Sequence, residues 1–303
     1  MPKLTQDYVN AGLKEERQGQ SLIITGRQVS TFDGLDSFIN TLKLYHLDLS
    51  FNMIRSMISS LNFPNLLFLD LSTNLLTKIE NLDQLKLLQV LRLSRNRITR
   101  IEGLSQSTNL NALDLSMNQI KRIENINHLK QLKLLYLYGN QIQHLEGLNG
   151  LGLLKELRIE QNSIVDINHL ATLENKLEEL EAHTNQISDL DNVIKSLSQL
   201  TKLKKLSLFN NPIFSDVTYK FRILKYKNIQ NLDGLLVKDY IREVLEDMKE
   251  NYDLDQIVIE SQRNINQLIE REREVKDTAV KLLSLQMERL EDDFIEFSKS
   301  MEK

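Results

Sequence analysis

Five histidines, His46, His128, His144, His169 and His183, are the imidazoles of this chain, and it contains no cysteine. No two of the five stand four residues apart on one helical face, so the spacing that grips zinc is missing. Gly147, Gly150 and Gly152 invite comparison with a phosphate-cradling loop, but their spacing does not fit one, and no Walker, EF-hand or nucleophile-elbow sequence accompanies them. These residues predict no catalytic, metal or cofactor site. The chemistry that remains is recognition by aromatic, arginine and carboxylate side chains.

Charge narrows the partners. The net charge of −4 divides unevenly: residues 236–303 carry 18 acidic against 11 basic side chains, which leaves residues 1–235 near +3. Neither part is a concentrated cationic face of the kind that binds phosphate backbones, so nucleic acid is not expected. The first twenty residues lack a basic-then-apolar leader pattern, and no stretch is apolar enough for a membrane span. The absence of cysteine and of any Asn-x-Ser/Thr site fits a reducing compartment, and a cytoplasmic protein is expected.

The elements that must position such residues show in an internal period. Asn52, Asn74, Asn96, Asn118, Asn140 and Asn162 follow one another at 22-residue intervals, with Asn185 and Asn211 after 23 and 26. Leucine or isoleucine stands eight, five and three residues before nearly every one of them, as in Leu88, Leu91 and Leu93 before Asn96, giving L-x-x-L-x-L-x-x-N. Apolar positions continue downstream at two, five and eight, as in Ile98, Ile101 and Leu104. One such unit cannot bury its leucines, but stacked units can. The alternating part reads as a short strand whose copies form a parallel sheet on a concave side. The roughly ten residues of return leave room for short 3-10 or extended pieces on the convex side. The asparagine amide is suited to pair backbone groups that the bend would leave unpaired.

That register names a candidate surface. Two or four residues before the asparagines, or beside them, fall Arg92, Arg95, Tyr136, Tyr138, Arg158, Glu160, Glu181, His183 and Phe209, a mixture typical of protein-interface hot spots. A second candidate is the basic group Lys220, Arg222, Lys225 and Lys227, with Lys202, Lys204 and Lys205 near it, suited to an acidic partner. A stacked array needs caps. Leu4, Tyr8, Val9 and Leu13 suggest a covering helix, Leu22, Ile24, Val29, Phe32 and Leu35 a degenerate coil, and Tyr219, Phe221, Ile223, Leu224, Ile229, Leu232 and Asp233 a terminal cap.

From Leu236 onward there is no proline or glycine. Apolar residues settle at spacings of three and four: Leu254, Val258, Ile265, Leu268, Val275, Leu283, Met287, Leu290, Phe294, Phe297 and Met301. Ser261, Ala279 and Glu272 complete this seam, which predicts a long helix paired in a coiled coil. An amphipathic helix folding back on the repeats is the alternative.

The 22-residue spacing resembles the leucine-rich repeat of the protein-phosphatase-1-regulator-like subclass. So do the phrases Ile79-Glu80, Ile101-Glu102, Ile123-Glu124 and Leu145-Glu146 and the cap entry Asn211-Pro212-Ile213. An array followed by a coiled coil is similar to cilium- and axoneme-associated members. The resemblance implies an α/β leucine-rich-repeat solenoid: a horseshoe with a parallel concave sheet, a short 3-10 or extended convex side and a long C-terminal α-helix or coiled coil. Its parts would be an N-terminal cap over 1–43, eight repeats over 44–211, a C-terminal cap over 212–235 and the helical tail over 236–303. It further implies a non-enzymatic, non-membrane interaction scaffold of a ciliary, axonemal or microtubule-associated assembly, without cofactor, whose partners are axonemal or cytoskeletal proteins and a coiled-coil mate. The alternative is a regulatory subunit of protein phosphatase 1, although no basic-Val/Ile-x-Phe docking motif is present; Ile295 and Phe297 follow acids instead of bases.

Overall fold

The computed structural model describes residues 6–16, 19–31, 43–57, 63–173, 176–216, 218–238, 241, 263 and 270. The chain divides into two compact units, residues 1–242 and 243–303. In the second, the described residues Arg263 and Glu270 are helical. The eleven apolar seam residues from Leu254 to Met301 lie outside the described residues, as do Leu4, Phe32 and Leu35.

The first unit is built on one sheet whose strands lie side by side in chain order. They are β1 (Leu13–Glu16), β2 (Gly19–Ile23), β3 (Leu44–Asp48), β4 (Phe68–Asp70), β5 (Val90–Arg92), β6 (Ala112–Asp114), β7 (Leu134–Tyr136), β8 (Glu156–Arg158), β9 (Glu179–Glu181), β10 (Lys205–Ser207), β11 (Asn231–Leu232) and β12 (Leu235–Leu236). From β2 to β11 every pairing is parallel; β1 on β2 and β12 on β11 are antiparallel. The register repeats the sequence period, so Leu91 pairs with Leu113, Leu113 with Leu135 and Leu135 with Leu157. Period-two alternation sends these leucines to one side, where they are fully buried. Each such leucine contributes about 1.5–3 kcal/mol relative to exposure.

The eight asparagines join the coils. The Asn118 amide donates to Leu93 O and Leu115 O, both at 3.0 Å, and to Ser116 O at 3.1 Å, while its Oδ1 accepts from Ile98 N at 3.0 Å. Two of those four bonds reach the preceding coil. The same set recurs at Asn74, Asn96, Asn140, Asn162, Asn185 and Asn211. From Leu49 to Ala182, each carbonyl three residues before an asparagine thus accepts from its own amide and from that of the next coil. The residue just before the asparagine is left-handed in every coil: Phe51, Thr73, Arg95, Met117, Gly139, Gln161, Thr184 and Asn210 have φ between 53° and 66°.

The returns are short turns and extended pieces, with a 3-10 helix at Asn168–Thr172. One return departs from the expected pattern. The 26-residue step between Asn185 and Asn211 has room for a true α-helix, Leu190–Leu197, whose first turn is capped by the Asp189 carboxylate accepting from Asn192 N at 2.9 Å.

The ends correct two expectations. An N-terminal helix spans Gln6–Gly12, but Leu13 belongs to β1, so the cap is a helix plus a reversed strand. At the other end a second short helix, Tyr219–Leu224, precedes the hairpin of β11 and β12. Leu236 sits in that hairpin and the compact unit runs to Arg242, so the cap extends past residue 235. Asp233 closes the asparagine ladder with a different side chain. Its Oδ1 accepts from Leu208 N at 2.8 Å and Phe209 N at 3.1 Å, and Tyr219 donates its hydroxyl to Oδ2 at 3.0 Å. Burial raises the Tyr219 pKa well above its ordinary value and raises that of Asp233 as well, against the hydrogen bonds that favour its charge.

Candidate functional site

The side of the sheet away from the leucines, here termed the outward face, carries three columns of side chains, six, four and two residues before the asparagines. Seven carboxylates stand in them, Asp48, Asp70, Asp114, Glu156, Glu160, Glu179 and Glu181, against the three cations Arg92, Arg158 and Lys205. Coil geometry fixes these positions, since successive strands pair residue for residue.

Around β7 to β10 the side chains form one network. The Arg158 guanidinium lies 5.8 Å from the ring centres of both Tyr136 and Tyr138 and pairs with Glu160 at 3.1 Å. Burial would lower the Arg158 pKa, but the carboxylates of Glu160, Glu181 and Glu156 outweigh it and the net direction is up. Tyr136 is raised by burial and by the charge and hydrogen bond of Glu156. Lys205 binds Glu181 at 2.8 Å and Glu179 at 3.6 Å; that first bond raises its pKa. Glu160 is only 4% exposed, and its Oε2 has no hydrogen-bond partner among the described residues. Burial, helped by the nearby Glu181, raises its pKa above the usual carboxylate value. The His183 ring stacks on Phe209 at 4.1 Å with a 7° interplanar angle.

Among the residues expected from the repeat register, Tyr136, Tyr138, Arg158, Glu160 and Glu181 come together in this network, with His183 on the coil of Glu181 and Phe209 on the next. Arg92 lies apart, 3.6 Å from Asp70 and over the Phe68 ring at 5.2 Å. Arg95 sits on the left-handed bend beyond the strand. The column six residues before the asparagines went unread: Phe68, Val90, Ala112 and Leu134 are half-buried and stack as direct ladder partners, followed by Glu156, Glu179 and Lys205. Extending the period-two alternation by one step would have found it.

The basic cap group is altered by packing. Lys220 is 5% exposed and lies 5.4 Å from the Phe214 ring centre, so it is not a surface cation. Arg222 bonds to Asp191 and Lys225 lies over the Phe221 ring, while Lys204 is bound to Glu178. A cavity of about 710 Å3 lies between the returns, lined in part by Lys121, Arg122, His144 and Glu146. It is remote from the outward face. Among the described residues no group of three or more histidine, aspartate or glutamate side chains is placed to hold a metal ion, and no helix is long and apolar enough to cross a membrane.

Strand, buried leucines and asparagine ladder recurring every 22 to 26 residues are the fold of a leucine-rich-repeat array. Residues 112–261 match a leucine-rich-repeat family model and residues 86–128 match a model of two leucine-rich-repeat copies. Among solved structures, internalin C2 of Listeria monocytogenes is 27% identical with a TM-score of 0.53, over 70% of this chain and 79% of that one. A leucine-rich-repeat protein of Leptospira interrogans is also 27% identical, with a TM-score of 0.57 over 69% of this chain; the match spans 59% of the Leptospira protein. The comparison with curated proteins gives no match.

Proposed function

We propose that the protein is a non-catalytic scaffold whose outward sheet face binds one protein while the helical tail binds another. The observation that carries this is the arrangement at Arg158, a guanidinium on β8 lying against two tyrosines, Tyr136 and Tyr138, of the preceding coil. Aromatic and arginine side chains pre-ordered by their neighbours lose little entropy when a partner settles on them. The tail's part rests on its apolar seam, and a place in a ciliary or axonemal assembly rests on the resemblance of its repeats and tail to those proteins.

The test is affinity capture of the full chain with crosslinking, repeated on Tyr138→Ala. Truncating Tyr138 leaves the Arg158–Glu160 pair in place, so the fold is expected to survive while the partner is lost. Unchanged recovery with Tyr138→Ala and with Phe209→Ala would sink the assignment to this face.

A further inference from the structure

The outward face has a composition that selects its occupant. Along the column six residues before the asparagines, β4 to β7 present Phe68, Val90, Ala112 and Leu134, four stacked apolar side chains. On the next two strands the same column turns acidic, with Glu156 and Glu179. Across the face carboxylates outnumber cations seven to three, although residues 1–235 as a whole are near +3. Charge has therefore been sorted by face. Within the acidic part, Glu160 is nine-tenths buried and keeps one carboxylate oxygen without a partner among the described residues, an acceptor already stripped of water.

Resting on the reading that this face is the binding face, we infer that its occupant is a cationic segment of another protein, with apolar side chains over Phe68 to Leu134 and a lysine or arginine at Glu156 and Glu160. Strand spacing of about 4.8 Å puts Glu179 about 24 Å from Phe68, a span of about seven extended residues. Residues 236–303, with 18 acids against 11 bases, have the wrong charge for the role, and so does a nucleic acid.

The experiment selects phage-displayed random peptides of about a dozen residues on the full-length chain, then counter-selects on Leu134→Arg. A selected peptide is labelled and titrated by fluorescence anisotropy against wild type, Leu134→Ala, Glu156→Gln and Glu156→Lys, with circular dichroism as the check on folding. Peptides that bind wild type but not Leu134→Arg are expected to be basic, with a large apolar residue near the cation. Glu156→Lys should weaken them about tenfold and Glu156→Gln by less, and added salt should weaken them further. Peptides that depend on Leu134 but are neutral or acidic overturn the inference and leave the binding face standing. Peptides indifferent to Leu134→Arg, or a selection that yields none, overturn the binding face itself.

Discussion

A single amide group carries much of the coil-to-coil adhesion. Asn118 satisfies three carbonyls and one N–H in a dry setting, so Asn118→Ala strands Ile98 N and takes one of two donors from each of the Leu93, Leu115 and Ser116 carbonyls, which keep the Asn96 amide, the Asn140 amide and Arg95 N. We expect a loss of about 3 kcal/mol or more in urea unfolding. Asn118→Asp should be at least as harmful at neutral pH, since a carboxylate facing three carbonyl oxygens repels them, and should recover partly on acidification. Ser107 is the opposite case. It occupies a core column otherwise filled by Phe63, Leu85, Leu129 and Leu151, it is 1% exposed, and its hydroxyl has no partner among the described residues. Ser107→Ala should raise stability by about 1 kcal/mol, read from the urea midpoint; a lower midpoint would mean that the hydroxyl is bonded. Asp233 gives a pH signature. Its folded-state pKa is raised above the unfolded one, chiefly by burial, so the folded chain holds the proton more tightly. That contribution is greatest below the ordinary carboxylate value and is lost as pH rises through the raised one. Asp233→Asn should flatten this part of the stability–pH profile, and an unchanged slope would contradict the assignment.

At the scale of the element, the left-handed bend is imposed by the coil and not chosen by its residue. Only one of the eight coils uses glycine there, and Thr73 and Thr184 are β-branched residues held at φ of 53° and 57°. Thr73→Asn should stabilise by about 1 kcal/mol in thermal unfolding, because asparagine tolerates that conformation better. Nearby the chain solves one problem twice. The carbonyls of Met57 and Ile101 receive the side-chain amides of Asn81 and Asn125, at 3.4 and 2.8 Å. Against those of Ile79 and Ile123 lie Gly103 and Gly147, where an added Cβ would come within 2.2 and 2.1 Å of the oxygen. The repeat, its strands and the eight asparagines were legible because a 22-residue period exposes itself at every turn. The α-helix at Leu190–Leu197 could have been read from the four extra residues of its coil. The hairpin caps could not: Leu13–Glu16 is polar and short, and β12 is two residues long, so neither carries an alternating signal. Nor does sequence register disclose that Lys220 turns inward, or that Arg158 settles against the two tyrosines of the preceding coil, since both follow from packing between coils.

At the scale of the whole molecule, stability should behave as a sum over neighbouring coils. Deleting residues 97–118 joins Asn96 to Gln119 in register, so the shortened chain should fold, with a urea m-value roughly a tenth lower. Deleting 212–238 removes the Asp233 closure and uncovers β10, and should leave an aggregating chain by size-exclusion chromatography. The reversed strands at the two ends have a wider consequence. A parallel stack is by nature open to concatenation, since each coil is a template for the next and a second molecule could continue the series. Antiparallel β1 and β12 interrupt that template, because a strand running the wrong way offers an incoming coil neither the leucine register nor the asparagine relay. The array is thereby made finite, and fibre formation by coil addition is denied at both edges of the sheet.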